Sequence, residues 1–97
     1  MIPYSFHPEA ERELADAAHF FEERIGGLGA AFADAVEHAI TLIRQYPELG
    51  TPYGRSSRRV LVRGFPYAVI YEIRPDGILV LAVAHVRRRP GYWRTRE

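Results

Sequence analysis

The chain has 97 residues, of which 47% are hydrophobic and 26% charged, and its formal net charge at pH 7 is +1. This length predicts a single domain, residues 1–97, that buries roughly 60–65% of the surface of its unfolded chain without cross-links. The absence of cysteine excludes a disulfide framework and a thiolate metal site. No signal peptide and no apolar run of about 18 residues is present, so we expect a soluble, cytoplasmic protein.

The small net charge hides a division between the two halves of the chain. Residues 1–50 carry nine acids and three arginines, whereas residues 51–97 carry three acids and ten arginines. The second half is therefore strongly cationic, which argues for an anionic partner on that side.

The N-terminal segment predicts an edge strand followed by a helix. Apolar side chains alternate at Ile2, Tyr4 and Phe6, and Pro3 is tolerated there because an edge strand need not donate every amide hydrogen. Pro8 suits the first position of a helix, and acids follow it where the helix dipole favours negative charge.

A second helix is predicted from about Leu28 to Tyr46, because apolar residues recur every three or four positions and the helix must end before Pro47. Only two glycines, Gly26 and Gly27, end the first helix and separate it from the second, so the two form an antiparallel hairpin. Most acids and histidines of the hairpin lie off the apolar stripe and indicate a solvated face rather than a catalytic or metal site. The acids and histidines of the hairpin are Glu9, Glu11, Glu13, Asp16, His19, Glu22, Glu23, Asp34, Glu37 and His38.

The segment from Pro47 to Ser57 predicts a loop, since it contains two prolines and two glycines. From Arg58 the period changes to two, which predicts a strand with Arg59, Leu61 and Arg63 on one side. Tyr67–Arg74 predicts the next strand. Ile78–Val86 contains nine residues without a charge, which predicts a strand buried on both faces.

The sequence Pro75-Asp76-Gly77 predicts a three-residue hairpin loop between these last two strands. That loop pairs Arg74 with Ile78 and, counted along the strands, places His85 opposite Tyr67. One apolar face then carries Tyr67, Val69, Tyr71, Ile73, Leu79, Leu81, Val83 and His85. The helical hairpin is the only cover available to this face, so we predict an α+β fold in the order β-α-α-β-β-β, an antiparallel sheet packed on a helical hairpin.

A run of arginines and aromatic residues follows the last strand: Arg87, Arg88, Arg89, Tyr92, Trp93, Arg94 and Arg96. Guanidinium groups bind phosphate or carboxylate and flat rings stack, so this mixture suits an anionic partner. The structural alternative is a solvated basic tail with Trp93 folded back onto the core.

The order of elements and the segment from Ser57 to Pro90, SRRVLVRGFPYAVIYEIRPDGILVLAVAHVRRRP, resemble the toxins of the RelE/ParE superfamily of bacterial type II toxin–antitoxin modules. The most specific parts are FPYAVIY, AVAHVRRRP and the early helix PEAERELADAAHFF, and the likeness covers nearly the whole chain. The resemblance implies a growth-inhibiting protein that is neutralised in a hetero-oligomer with a cognate antitoxin. It implies no cofactor and no metal.

The superfamily has two main activities, the poisoning of DNA gyrase and the ribosome-dependent cleavage of mRNA. The tyrosine-bounded strand and the histidine followed by arginines resemble the gyrase-poisoning ParE branch, which needs no catalytic residues. That reading assigns contact with the target or the antitoxin to Arg58, Arg59, Arg63, Arg87, Arg88, Arg89, Tyr92, Trp93 and Arg94.

Cleavage of mRNA without a metal would instead require a base for the ribose 2′-hydroxyl, cations for the phosphorane and an acid for the leaving oxygen. The nuclease reading uses His85 as base or acid, Arg59, Arg63 and Arg87 as the clamp, and Tyr92 as a second acid or base. The chain departs from the ribonuclease members at Ala68, where they tend to carry a catalytic arginine, and at Val86, where some carry a tyrosine.

A plain nucleic-acid-binding module is a third candidate. In such a protein the basic half would coat phosphates, and binding to free DNA or RNA would fall steeply with salt. A toxin differs in that it should be hard to express alone and should have an antitoxin gene beside it.

Overall fold

The computed structural model describes all 97 residues and confirms the α+β fold. The elements are β1 (Tyr4–Phe6), α1 (Pro8–Arg24), α2 (Leu28–Gln45), β2 (Thr51–Pro52), β3 (Ser57–Leu61), β4 (Tyr67–Arg74) and β5 (Gly77–His85), followed by a short 3-10 helix at Arg94–Arg96. The five strands form one sheet in the order β1-β5-β4-β3-β2. Neither helix combines the length and the apolar character that crossing a bilayer requires.

The helical hairpin forms where its sequence predicts. α1 begins at Pro8, and the side chain of His7 accepts a hydrogen bond of 3.1 Å from the amide of Glu9. Gly27 has a φ of 90° at the start of α2, a conformation that glycine adopts without steric cost. Glu22 accepts hydrogen bonds of 2.9 Å from the amides of both Gly27 and Gly29, so this acid caps α2 instead of belonging to a merely solvated face.

Two strands differ from the prediction. β1 lies at the sheet edge as expected, but it pairs with β5 in parallel, with Tyr4 opposite Ile78. The sheet is therefore mixed, and the prediction of a purely antiparallel sheet is wrong. β2 lies inside the segment predicted as a loop and pairs with β3, with Thr51 opposite Arg59. Segments of two or three residues carry no readable period, and their pairing depends on distant residues.

The β4–β5 hairpin contains a one-residue irregularity. Its far end is as predicted, with Tyr67 opposite His85, but its near end pairs Arg74 with Gly77 instead of Ile78. The register shifts between Ile70 and Tyr71, which leaves one residue of β5, Leu81, without a partner. A bulge of this kind reverses the side on which the following residues point.

The bulge therefore changes which residues of β5 face the helices. Ile78 and Val80 join the core beneath the hairpin, whereas Leu79 and Leu81 belong to a second cluster on the opposite, outer face of the sheet. The prediction that Leu79 and Leu81 share the helix-facing side is wrong for this reason. The inner core is completed by residues of all the larger elements, among them Phe32, Val36, Ile43, Val69, Tyr71 and Val83.

Candidate docking surface

The arginine loop, which we define as Val86–Pro90, leaves the end of β5 in a tight turn. The amide of Arg88 donates to the carbonyl of His85 at 2.9 Å, and the amide of Val86 donates to the carbonyl of Pro66 at 2.9 Å. The second bond ties the loop to the β3–β4 connection. This connection carries Arg63, so the fold brings Arg63 to the same end of the sheet as the loop.

The residues after the loop, Gly91–Glu97, form a strap across the outer face of the sheet. Trp93 is only 2% exposed and packs with Ile70, Leu81 and other residues of the outer cluster. Its indole stacks on the ring of Tyr53 with a centroid distance of 5.0 Å. Trp93 therefore anchors the strap, as the structural alternative from the sequence has it, and its ring is not free to meet a partner.

The strap is also locked to α1 through the carboxylate of Glu13. One carboxylate oxygen, Oε2, accepts from the hydroxyl of Tyr92 at 2.9 Å and from Nη2 of Arg96 at 3.0 Å. The other, Oε1, accepts from Nη1 of Arg96 at 3.1 Å and from the amide of Val83 at 3.0 Å. Nη1 of Arg96 also donates to the carbonyl of Leu81 at 3.0 Å.

This network provides hydrogen-bond partners for backbone groups in the part of β5 that β1 does not reach. β1 pairs with β5 only as far as Val80, so the backbone groups of the next residues lack a strand neighbour on that side. Glu13 and Arg96 take the place of that neighbour and close the edge. Burial and the bond to Glu13 both raise the pKa of Tyr92, so its hydroxyl keeps its proton further into the alkaline range than an ordinary tyrosine does.

Most arginines of the second half have no carboxylate partner. Only Arg74, with Glu72, and Arg96, with Glu13, form ion pairs. The others are Arg55, Arg58, Arg59, Arg63, Arg87, Arg88, Arg89 and Arg94. Six of these are exposed, the exceptions being Arg58 and Arg59. Arg63 and the three arginines of the arginine loop lie at the His85 end of the sheet, and their unpaired, exposed guanidinium groups are available to phosphates or carboxylates of a partner.

The two half-buried arginines occupy different places. Arg58 donates to the carbonyls of Glu48 and Gly50, at 3.2 and 2.7 Å, so its guanidinium holds the segment before β2. Arg59 lies on the outer face with its guanidinium 4.5 Å from the ring centroid of Tyr53. The structure therefore separates Arg58 from the arginine loop and brings Arg59 towards it.

His85 is held at the end of β5 by two contacts. Its Nδ1 accepts a 3.0 Å hydrogen bond from the amide of Arg87, which leaves the other ring nitrogen to carry the proton in the neutral form. Its ring meets that of Tyr67 edge-on at 5.3 Å. Arg59, His85 and Arg88 line one small cavity together with Tyr92 and Trp93.

Two hydrophobic side chains lie exposed near Arg63 and the arginines of the loop. Leu61, at the end of β3, is 61% exposed, and Val86, at the start of the arginine loop, is 43% exposed. Apolar side chains set among arginines are the composition found at protein interfaces. The candidate docking surface therefore consists of the arginine loop, which includes Val86, together with Arg63 and Leu61.

Glu13 is the important residue that the sequence reading missed. The sequence pattern predicts Glu13 to be a solvated acid of the hairpin. His19 and His38 are predicted to be solvated in the same way, and both are exposed. A signal existed, because Glu13 lies three residues after Ala10 and four before Ala17, and both alanines are buried. No group of three or more histidine and acidic side chains lies close enough together to bind a metal ion.

Comparison with known proteins gives this surface a context. A chain of the "Chromosomal ParDE TA system from P. aeruginosa" superposes with a TM-score of 0.76 at 12% sequence identity, over 88% of this chain and 96% of that chain. At this identity the likeness is one of fold alone. No curated protein matches the sequence. The family model described as "ParE toxin of type II toxin-antitoxin system, parDE" matches residues 4–90. Because the family model matches most of its length and its fold is that of a chain from a ParDE system, the chain belongs to the ParE family of type II toxins.

Proposed function

We propose that the protein acts as a gyrase-poisoning toxin that docks through its arginine loop and has no catalytic residues of its own. The observation that carries this proposal is the contrast between the cations and the acid–base candidates. The arginines of the loop are exposed and have no carboxylate partner, whereas the hydroxyl of Tyr92 is committed to Glu13 within the fold.

The state of Tyr92 weighs against the nuclease reading. A general acid must release its proton readily, but burial and the neighbouring Glu13 carboxylate raise the pKa of this hydroxyl. Position 68 holds a buried alanine and position 86 a valine, so neither offers a substitute. An inhibitor that binds a protein–DNA complex needs only complementary charge and shape.

The cognate antitoxin is the second partner in this proposal. Its toxin-binding segment would be acidic or amphipathic, complementing the unpaired arginines, and would order on binding. An antitoxin that covers the arginine loop prevents docking on the target by occupying the same surface. We therefore expect a stable toxin–antitoxin complex when the two proteins are produced together, and purification of a free monomer alone would contradict this expectation.

Ribosome-dependent cleavage of mRNA is the second candidate, because Arg59, Arg88 and His85 line a common cavity. An imidazole beside two guanidinium groups has the composition of a metal-independent phosphodiester site. In this alternative His85 acts as base or acid and Arg59 belongs to the clamp, as the nuclease reading of the sequence has it. Arg88 takes the place of Arg63 and Arg87, which do not line this cavity.

The test is a cleavage assay with the purified protein, DNA gyrase, ATP and supercoiled plasmid, scored as linear DNA after protease treatment. Gyrase poisoning predicts linear product that disappears when antitoxin is added. If a preparation that arrests growth gives no linear product, gyrase is not the target. The same preparation is then assayed for mRNA cleavage on ribosomes, with His85→Ala as the first variant.

The docking surface itself is tested by Arg87→Ala combined with Arg88→Ala. We expect the concentration needed for half-maximal linear DNA to rise by more than about tenfold, since two cations of the contact are lost. The matched control, Arg12→Ala with Arg24→Ala, removes two exposed arginines of α1 and should leave this concentration unchanged. Full potency of the folded loop variant would refute docking through the arginine loop.

A further inference from the structure

We call the hydrogen bonds of Glu13 with Tyr92 and Arg96 the lock. The lock joins a segment that the family model matches to a segment that it does not match. Glu13 lies within residues 4–90, which the family model matches, whereas Arg96 and Tyr92 lie beyond residue 90. The carboxylate and the guanidinium are both largely buried, with side chains 17% and 13% exposed. Paired, hydrogen-bonded charges with so little access to water hold their geometry better than exposed ion pairs do.

One arginine of the loop rests directly on this lock. The guanidinium carbon of Arg88 lies 3.9 Å from the ring centroid of Tyr92, and that of Arg96 lies 5.0 Å from the same ring. Arg87 and Arg89 have no aromatic ring or carboxylate against them. The hydroxyl of Tyr92 is fixed on Glu13 at 2.9 Å, so the ring beneath Arg88 is fixed as well.

We propose that Arg88 is the cation of the loop that anchors the target and that Glu13, acting through Tyr92, is its positioning residue. The inference rests on the proposed docking function. A guanidinium already held over a ring has less rotational freedom to lose when it binds, whereas the free side chains of Arg87 and Arg89 must be ordered at the moment of contact. The strap thus holds one contact residue in its binding position before the partner arrives.

The link is tested with Glu13→Gln, Tyr92→Phe and the double variant. Glu13→Gln keeps the size of the side chain but replaces the charged acceptor of the Tyr92 hydroxyl by a neutral amide, which weakens this bond, and Tyr92→Phe keeps the ring but removes the bond. Each single change should raise the concentration for half-maximal linear DNA by about threefold to tenfold. Because both changes act on one connection, the half-maximal concentration of the double variant should be no higher than that of the less potent single variant. Asp16→Asn is the matched control, since Asp16 lines the same cavity as Glu13 and Arg88 without a hydrogen bond or an ion pair, and it should behave as wild type.

A second readout needs no gyrase. In the wild-type protein the ring current of Tyr92 should shift the side-chain NMR signals of Arg88 away from those of Arg87 and Arg89. In Glu13→Gln and Tyr92→Phe the signals of Arg88 should move towards those of its neighbours. The emission of Trp93, the only tryptophan, should stay that of a buried indole and so verify that the strap and the fold remain intact.

The outcomes separate the inference from the function on which it rests. If wild-type protein gives no linear DNA, gyrase poisoning is wrong, and the NMR signals of Arg88 alone decide whether Glu13 positions it. If the signals of Arg88 do not move in the folded Glu13→Gln and Tyr92→Phe variants, Glu13 is not a positioning residue. If they move while the half-maximal concentration stays constant, Arg88 is not the anchoring cation.

Discussion

The indole of Trp93 covers the apolar cluster on the outer face of the sheet. It is buried against Ile70 and Leu81 and stacked on Tyr53, and its Nε1 donates to the hydroxyl of Ser57 at 3.4 Å. The outer face of a sheet in so small a domain would otherwise expose its apolar residues to water. Trp93 therefore contributes to folding, and the arginines around it remain for binding.

Replacing Trp93 by alanine should lower the free energy of unfolding by about 3–5 kcal/mol, because it removes a large buried side chain and leaves a cavity. Urea denaturation followed by far-ultraviolet circular dichroism measures the loss. Tyr46→Ala removes an aromatic residue that is 63% exposed and should change the free energy by no more than about 0.5 kcal/mol. Equal effects of the two variants would mean that the strap does not pack in solution.

At the scale of elements, the α1–α2 hairpin depends on the carboxylate of Glu22. It accepts hydrogen bonds from the amides of Gly27 and Gly29, and the bond to Gly27 is the first cause of the lowered pKa of Glu22. Gly29 permits the close approach of the helices, because a Cβ added there would lie 2.5 Å from the carbonyl oxygen of Ala18. A short connection and a side-chain cap together fix the angle at which α2 leaves α1.

Glu22→Ala should therefore lower the melting temperature at pH 7. A carboxyl group whose pKa is lowered by folding stabilises the protein above its unfolded pKa, and this contribution is lost as the pH falls through the folded value. The difference between wild type and Glu22→Ala should accordingly shrink between pH 5 and pH 3. Glu23→Ala, which removes the adjacent exposed acid, is the control; an equal difference at both pH values would contradict the capping role.

For the molecule as a whole, three buried or half-buried tyrosines, two on β4 and one on the strap, sit in sites that favour the protonated hydroxyl. Burial raises the pKa of Tyr67, of Tyr71 and of Tyr92. The hydroxyl of Tyr71 accepts a hydrogen bond from the amide of Gly50 at 3.0 Å and donates one to the carbonyl of Pro47 at 2.5 Å. These two bonds tie the segment before β2 to β4. The neutral hydroxyl is the form that fits each of these sites.

Stability should therefore fall as the pH rises above about 10, where tyrosines of the unfolded chain begin to ionise while Tyr67, Tyr71 and Tyr92 of the folded chain stay protonated. A group with a raised folded pKa gives its full contribution below the unfolded pKa and loses it as the pH approaches the folded one. Urea midpoints measured between pH 8 and pH 11 test this. Tyr92→Phe should reduce the alkaline slope, and a slope equal to that of wild type would exclude Tyr92 as a source.

The sequence predicts those features whose cause is local. The period of three to four residues defines α1 and α2, alternation and β-branched residues define β4 and β5, and proline and glycine mark the ends. The parallel pairing of β1, the strand β2 and the bulge at Leu81 depend on neighbours far along the chain, so no local pattern carries them. The bulge alone explains why Leu79 and Leu81 lie on the face opposite to the predicted one.

The same division applies to the candidate site. The arginine loop is visible in the sequence as a run of like charges after a buried strand, and its position at the end of β5 follows from that. The lock is not visible, because Glu13 and Arg96 are 83 residues apart and each resembles an ordinary surface residue when taken alone. Trp93 lies between the two cases. Its large apolar indole predicts burial, whereas the arginines around it in the sequence predict a role in binding.

The division of charge between the two halves of the chain bears on how quickly the protein finds its partner. Eight of the twelve acids lie on α1 and α2, whereas the unpaired arginines lie on the sheet and around the loop that follows it. The electric field of a polyanion orients such a molecule before contact. Encounters in which the arginines face the polyanion then become more frequent than random orientation would give. This steering operates over the Debye length, about 8 Å at physiological ionic strength. The encounter rate, more than the lifetime of the complex, is therefore the quantity that added salt should reduce.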